Sequence, residues 1–177
     1  MSDRSLSPTW LASWASRVSE TLKAMTGDFE RRHGFPSGVN EVRLADHADQ
    51  AAGRTLTQVS LVAADLVTFY DSIGEVTCPD VGNGYFVDPA VDVLLRFKQY
   101  GAVDVGADQK DGGLVIGSNG GGLSYVVGPG GVIYRTRTAS LDEPELDQVA
   151  DDLGEFLEQQ LERSLTPFVA NGEPGCL

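Results

Sequence analysis

The chain has few of the residues from which metal and thiol sites are usually built. Its 177 residues include two cysteines and two histidines. Cys78 and Cys176 stand too far apart for a CxxC metal site and form no disulfide framework, so we expect two unpaired thiols in a reducing cytoplasm. His33 and His47 lack the HxxxH or HxxE spacing of zinc sites. No nucleophile motif occurs either. The sequence therefore predicts no cofactor, no metal and no enzyme activity.

Long apolar runs are also missing. A membrane-spanning helix needs about 18 or more consecutive apolar residues, and no such run occurs. The first ten residues, "MSDRSLSPTW", lack the apolar centre of a signal peptide. We therefore expect a protein of the cytoplasm. Its length fits a single domain with one sizeable core.

Glycine, by contrast, is dense in one stretch. The segment Ile116–Tyr134, "IGSNGGGLSYVVGPGGVIY", has seven glycines in nineteen positions. A phosphate loop would need GxxxxGK[ST] or GxGxxG in front of a helix, and neither pattern is present. Both glycine clusters precede apolar segments that alternate like strands. They therefore favour hairpin turns, with a ligand loop as the alternative.

The charge balance is strongly acidic. The formal net charge is -13, and ten acids against one base fall between Thr138 and Leu177. Such a surface repels nucleic-acid backbones and anionic lipid, which excludes both as partners. It would steer a basic protein toward the acidic side. The alternative is that the acidity only keeps the protein soluble.

Apolar spacing predicts helices at both ends and strands between them. An amphipathic helix is expected from Pro8 to about Thr26, with Ser7 as N-cap and Trp14 in the core; Trp10 is either a second core anchor or a surface recognition residue. Residues 27–60 have no clear pattern. The remaining predicted elements are a helix over Ala63–Ile73 ended by Gly74, a turn at Asn83-Gly84, a helix from Asp88-Pro89 to Gly101, strands Leu114–Ile116, Leu123–Val127 and Val132–Thr136, and a closing helix between Pro144 and Pro167.

This order predicts an α+β fold: a single domain whose curved, mostly antiparallel sheet is flanked by N-terminal and C-terminal helices. We divide it into a divergent N-terminal helical region (1–60), a core (61–165) and a loose C-terminal tail (166–177).

Four segments carry a resemblance to a known family. They are "VAADLVTFYDSIGEV", "GYFVDP", "GLVIGSNGGGLSYVVGPGGVIY" and "LGEFLEQQLE". Together they resemble the SUKH superfamily, which contains the fungal Smi/Knr cell-wall regulators and many bacterial immunity proteins. The matching positions are Leu66, Phe69, Tyr70, Gly74, Gly120–Gly122, Tyr125, Tyr134, Phe156 and Leu157. The resemblance covers roughly 61–161 and implies an α+β fold without catalysis.

The resemblance also implies a function. Bacterial members mostly bind and neutralise toxins, many of them nucleases, so we expect an immunity protein that covers a basic toxin domain. The alternative is a Smi/Knr-like regulatory module without a toxin partner. On the predicted closing helix, an acidic strip would face a partner: Asp151, Asp152, Glu155, Glu158 and Glu162. An ordinary solvated helix face explains the same residues. The oligomeric state stays open.

Overall fold

The computed structural model describes residues 6–59, 64–106 and 112–165. The predicted tail, 166–177, lies outside these ranges. In chain order the elements are α1 Pro8–His33, β1 Glu41–Leu44, α2 His47–Val59, α3 Ala64–Ser72, β2 Ile73–Cys78, β3 Tyr85–Val87, α4 Ala90–Tyr100, β4 Leu114–Asn119, β5 Ser124–Val127, a 3-10 turn Pro129–Gly131, β6 Ile133–Thr136, β7 Leu146–Ala150 and α5 Leu153–Glu155, which continues as π-helix over Phe156–Glu162.

The strands of the described residues form one sheet. Each strand pairs antiparallel with the next along the chain, so the order in space is β1 to β7. α1 precedes the sheet, α2 and α3 lie between β1 and β2, α4 lies between β3 and β4, and α5 follows β7. The predicted α+β class is confirmed.

α1 begins where the sequence predicts but ends later. The Ser7 hydroxyl accepts a hydrogen bond from the Trp10 amide at 3.2 Å, and Pro8 occupies the first turn. The buried stripe continues through Phe29, and Gly34 closes the helix at a φ of 79°. Trp14 is fully buried, as predicted, and its indole N–H donates to the Leu157 carbonyl at 3.2 Å. That bond ties α1 to the closing helix.

The unpatterned stretch 27–60 holds the end of α1, β1 and α2. Asp46 and Asp49 form a reciprocal cap at the start of α2, because each carboxylate accepts the other residue's amide at 2.9 Å. Asp49 is buried, and the Arg43 guanidinium of β1 donates two hydrogen bonds to its carboxylate, at 2.7 and 3.0 Å. The N-terminal region thus adds an edge strand as well as helices.

The predicted end of the helix over Ala63–Ile73 is one residue too late, and the predicted role of Gly74 in ending it is wrong. α3 stops at Ser72, and Ile73 and Gly74 already belong to β2. Gly74 is a strand residue that lies against Arg43: a Cβ there would stand 2.6 Å from the Arg43 Nη1 atom. The glycine therefore makes room for the guanidinium instead of capping a helix.

The predicted start of the closing helix is also wrong. Leu146 and Val149 lie on β7, not on a helix. Pairing with β6 decides the conformation, since Leu146 faces Thr136 and Ala150 faces Ile133 across the ladder. The helix begins at Leu153, after Asp152 caps it by accepting the Glu155 amide at 2.7 Å.

The other sequence-based elements are confirmed. α4 runs to Tyr100 and stops at Gly101, and the three glycine-region strands become β4, β5 and β6. The glycine clusters are hairpin turns, with Gly122 at a φ of 85° and Gly130 at 81°.

Two apolar clusters lie on opposite faces of the sheet. The large one joins the helices to one face and includes Val127 and Ile133. The small one is built on Val103, Val115 and Val126. Because neighbouring residues on a strand point to opposite faces, Val126 and Val127 assign the clusters to different sides. The loops 101–106 and 137–145 contribute to the small cluster through Val103, Val105 and Leu141.

Candidate functional site

The five predicted partner-binding acids do not form one strip. Asp151 precedes the closing helix, and its carboxylate accepts a hydrogen bond from the Gln148 amide group at 2.7 Å. Its backbone N–H donates to the Glu155 carboxylate, also at 2.7 Å. Asp152 is the N-cap described above. These three acids therefore form a hydrogen-bonded turn at the start of the helix.

Glu158 and Glu162 lie further along, beside α1. Arg17 of α1 forms an ion pair with Glu162 at 2.8 Å. That hydrogen bond raises the pKa of Arg17, and the nearby charge of Glu158 adds to the effect. Both glutamates line a cleft of about 450 Å³ with Trp10, Arg17 and Arg163. Trp10 is half-buried there, so α1 shares this acidic surface with the helix.

A groove beside α4 has a largely apolar lining. We call it the α4 groove; it has a volume of about 400 Å³, and its apolar lining includes Val93, Phe97, Tyr100, Val103, Leu114 and Leu141. One wall is α4 with β4 behind it, and the other is the loop 139–142. The volume is in the range of pockets that take a large side chain or a small ligand.

The arginine in the α4 groove is already engaged. Arg96 donates to the Val115 carbonyl at 3.3 Å and to the Asp88 carboxylate at 3.0 Å. Burial raises the pKa of Asp88, and the charge of Arg96 opposes that rise. The sequence predicts that Asp88-Pro89 starts this helix. Pro89 takes the N-cap position, and the Asp88 carboxylate pairs with Arg96 instead of capping α4. The pair fixes the base of α4 against the sheet and leaves the groove itself largely apolar.

Large apolar side chains stand exposed on α4. Tyr100, which lines the groove, is 73% exposed, Leu95 is 58% exposed and Val91 is 43% exposed. Val91 and Leu95 are one helical turn apart, so they share a face of α4, the one opposite the groove-lining Val93 and Phe97. An exposed apolar side chain at the mouth of a cleft, such as Tyr100, is typical of interaction sites. Sequence reasoning missed this surface, although apolar residues on both sides of α4 were a visible signal.

Acidic residues rim the same region. Asp104, Asp142 and Glu143 are exposed, and we call them the acidic rim. Asp142 lines the α4 groove, whereas Asp104 and Glu143 line a second cleft of about 430 Å³ with Leu146. Both clefts open between the loops that carry the small cluster. The arrangement is an apolar groove with negative charge along its edge.

Glu143 has an unusual backbone. Its φ is 47°, the left-handed region that glycine favours; among the described non-glycine residues it is the single one with positive φ. Such conformations are strained for residues with a side chain and persist where surrounding structure imposes them. The strain lies in the rim of the second cleft.

Residues that bear catalytic or metal chemistry are dispersed. His33 stands at the end of α1 with its ring 4.4 Å from that of Phe29, and His47 starts α2. Burial raises the pKa of Cys78 to about 12, so its thiol is unreactive. Within residues 6–59, 64–106 and 112–165, no three His, Cys, Asp or Glu side chains are placed to hold a metal ion. No helix in these ranges is long and apolar enough to span a bilayer.

No family model matches the chain, and no curated protein matches its sequence. The resemblance to the SUKH superfamily therefore rests on the four quoted segments. In the fold those segments fall on α3 and β2, on β3, on the β4–β6 hairpins and on the closing helix.

Proposed function

We propose that this chain is a non-catalytic protein-binding domain: an immunity protein of the cytoplasm that neutralises a basic toxin domain by covering it. The observation that carries the proposal is the α4 groove, in which an apolar cleft, an exposed tyrosine and an acidic rim meet. The occupant we infer is a basic surface that projects one large apolar side chain.

The apolar part of the proposal rests on how interfaces obtain their energy. A few buried aromatic or aliphatic anchors supply most of the binding free energy, and they sit in pockets ringed by polar residues. The α4 groove offers such a pocket, and Tyr100, which lines it, is 73% exposed. Covering this side chain would remove apolar surface that now faces water.

The electrostatic part rests on sign. The protein has a net charge of -13, and the acidic rim adds three carboxylates beside the groove. A basic partner is attracted at a distance and oriented before contact. Nucleases are usually basic where they grip nucleic acid, so a nuclease domain suits this surface, and the resemblance to immunity proteins points the same way.

Two docking surfaces compete under this proposal. One is the α4 groove with its acidic rim. The other is the surface predicted from sequence, Asp151, Asp152, Glu155, Glu158 and Glu162. Hydrogen bonds and the Arg17 ion pair already engage several of these acids, whereas the exposed Tyr100 lines the groove. We therefore favour the α4 groove.

The experiment uses the protein encoded beside this chain in its genome. That neighbour is produced in a bacterial host with and without this chain, and growth is followed. We expect growth to stop with the neighbour alone and to recover when both are present. If the neighbour is toxic and this chain gives no protection, toxin neutralisation is wrong. A neighbour that is harmless yet binds tightly would point to a regulatory module instead.

Variants then locate the docking surface. Tyr100→Ala should weaken the complex by about 2 kcal/mol, roughly 30-fold, as interface anchors do. Because Tyr100 is exposed, the melting temperature of the Tyr100→Ala variant should equal that of the wild type. Leu141→Ala should weaken the complex as well, because Leu141 lines the groove, and Leu44→Ala, at an exposed leucine outside the groove, is the control. Loss of binding in Asp151→Asn with Asp152→Asn and Glu155→Gln, but not in Tyr100→Ala, would move the site to the acidic turn.

A further inference from the structure

The free edge of β1 is the second surface that exposes large apolar side chains. β1 is the first strand of the sheet, and among the described residues it pairs with β2 alone. Its other edge therefore presents backbone N–H and C=O groups that a further strand can pair with. Natural sheets usually protect such an edge with charge or cover it, so an apolar one needs an explanation.

Three exposed apolar residues lie on β1 or shortly before it in the chain. Leu44 is 65% exposed, Val39 is 64% exposed and Phe35 is 57% exposed. They make up half of the exposed large apolar side chains in the described part of the chain. The Phe35 ring packs edge-on against Phe29 of α1, with centroids 5.6 Å apart. Leu44 is the one of the three that lies on the strand itself.

We propose that this edge binds a second copy of the same chain, with the two β1 strands antiparallel about a two-fold axis at Val42. Pairing of this kind would join two seven-stranded sheets into one. The inference is independent of the proposed function, because it concerns a different surface and a different partner.

Charge complementarity selects the second copy as the occupant. In a register centred on Val42, Glu41 of each copy faces Arg43 of the other copy. The two-fold axis generates this opposite-charge pair twice, and cross-strand pairs of opposite charge stabilise antiparallel strands. In this register the alternating charges of the two copies attract each other, whereas a register that sets like charges opposite each other is repulsive.

The other face of the strand is also self-complementary. Side chains alternate between faces, so Val42 and Leu44 lie opposite to Glu41 and Arg43. In the same register Val42 faces Val42 of the second copy, and Leu44 lies diagonal to it. Diagonal neighbours across strands are within reach of long side chains. One face of the new junction is thus charged and the other apolar.

Contacts within the monomer hold the Arg43 side chain in place. Its two hydrogen bonds to Asp49 fix the guanidinium, and its Nε atom is 3.6 Å from a Glu75 carboxylate oxygen on β2. The Arg43 side chain is still 35% exposed. Since the group is ordered in the monomer, pairing with Glu41 of the second copy costs little additional side-chain freedom.

Sedimentation of the full chain tests the proposal. Wild type should change reversibly from monomer to dimer between micromolar and millimolar concentrations at moderate salt. Leu44→Asp places a charge on the apolar face, and Glu41→Arg sets two arginines against each other; each should raise the dissociation constant by about tenfold or more. Both sites are exposed, so thermal melts should confirm that the variants fold. Leu95→Asp, on α4, should leave self-association unchanged.

A cysteine at the two-fold axis tests the register. In a Cys176→Ser background, Val42→Cys should form a disulfide-linked dimer under mild oxidation, because the two side chains face each other. Leu44→Cys is more exposed but lies opposite Asn40, so it should link far more slowly. A chain that stays monomeric at millimolar concentration overturns the proposal, and a dimer in which Leu44→Cys links faster overturns the register. Neither result touches partner binding at the α4 groove, which Tyr100→Ala reports separately.

Discussion

The α4 groove and the β1 edge both expose large apolar side chains, yet they differ in shape and in what surrounds them. The groove is concave, walled by a helix and a loop, and rimmed by acids. The edge is a four-residue strand whose outer backbone N–H and C=O groups can pair with another strand, and it carries one charge of each sign. A rim of like charge suits a partner of opposite charge, whereas a pattern of mixed charge suits its own copy. The two surfaces therefore call for different partners.

The two regions are also held differently. β1 is fixed by the Arg43–Asp49 pair, the reciprocal cap of α2 and the ladder to β2. The loops beside the α4 groove rest on a small cluster of three buried valines, and one rim residue has a strained backbone. Regions with few buried apolar contacts open more easily. We expect a rigid edge and an adaptable groove.

Truncation of Trp14 should have the largest effect and should loosen both regions together. Trp14 is fully buried and bonds the closing helix through Leu157, so Trp14→Ala should cost about 3–5 kcal/mol of unfolding free energy. Denaturant titration measures the loss, and amide exchange shows where it appears. If exchange rises at α4 but not at β1, the two regions do not share one cooperative core.

Loss of the Asp49 charge should affect the β1 edge selectively. Asp49 is buried, and replacing it by asparagine leaves Arg43 without its carboxylate while the cap to Asp46 can still form. Breaking a pair with one buried partner should cost about 2–3 kcal/mol. Asp71→Asn is the control, because its ion pair with Arg54 is long, 3.5 Å, and largely exposed; that change should cost under about 1 kcal/mol. Equal losses in the two variants would contradict a specially fixed β1.

The same variant has a pH signature. The hydrogen bond from Arg43 lowers the pKa of Asp49, with burial opposing it. A carboxyl with a lowered folded pKa stabilises the protein above its unfolded pKa of about 4, and that stability is lost as the pH falls through the folded pKa. The difference in unfolding free energy between wild type and Asp49→Asn should therefore be largest at neutral pH and should shrink below about pH 4. A gap that stays constant would exclude the charge as its cause.

Local signals in the sequence predicted much of the fold. Ser7-Pro8, Asn83-Gly84 and the glycine clusters marked element boundaries because their chemistry acts over three or four residues. β7 escaped prediction because Leu146 and Val149 have helical spacing, and only the free edge of β6 turns that segment into a strand. β1 was missed for the same reason: four residues become a strand when β2 lies beside them.

The candidate site was less accessible to prediction. The acidic surface was visible from composition, but the loop 139–142 and the side of α4 meet through the tertiary fold, although about forty positions separate them in the chain. The engagement of Glu162 by Arg17 likewise joins distant segments. Sequence patterns gave the sign of the expected partner's charge, whereas the position of an apolar cleft required the packed structure.

Charge removal should separate the acidic rim from the acidic turn. Once a basic partner is in hand, Asp104→Asn with Asp142→Asn and Glu143→Gln should slow association roughly tenfold at low salt and change dissociation little. The effect should vanish at high salt, where charges are screened beyond a few ångströms. Asp151→Asn with Asp152→Asn and Glu155→Gln removes the same number of charges elsewhere and is the matched control. A larger effect in that control would place the docking surface at the acidic turn.

Relief of strain at Glu143 should have the smallest effect. Glycine adopts a φ of 47° without a steric penalty, so Glu143→Gly removes strain while adding backbone freedom to the unfolded chain. The net gain should be about 0.5–1 kcal/mol of unfolding free energy. Asp142→Gly changes the adjacent exposed position, which has no positive φ. This variant gains only backbone freedom in the unfolded chain, so its unfolding free energy should fall by a similar amount. If both variants lose stability equally, Glu143 is not strained. If Glu143→Gly is more stable yet binds the basic partner more weakly, the strain serves to hold the rim in its binding shape, a feature that the β1 edge lacks.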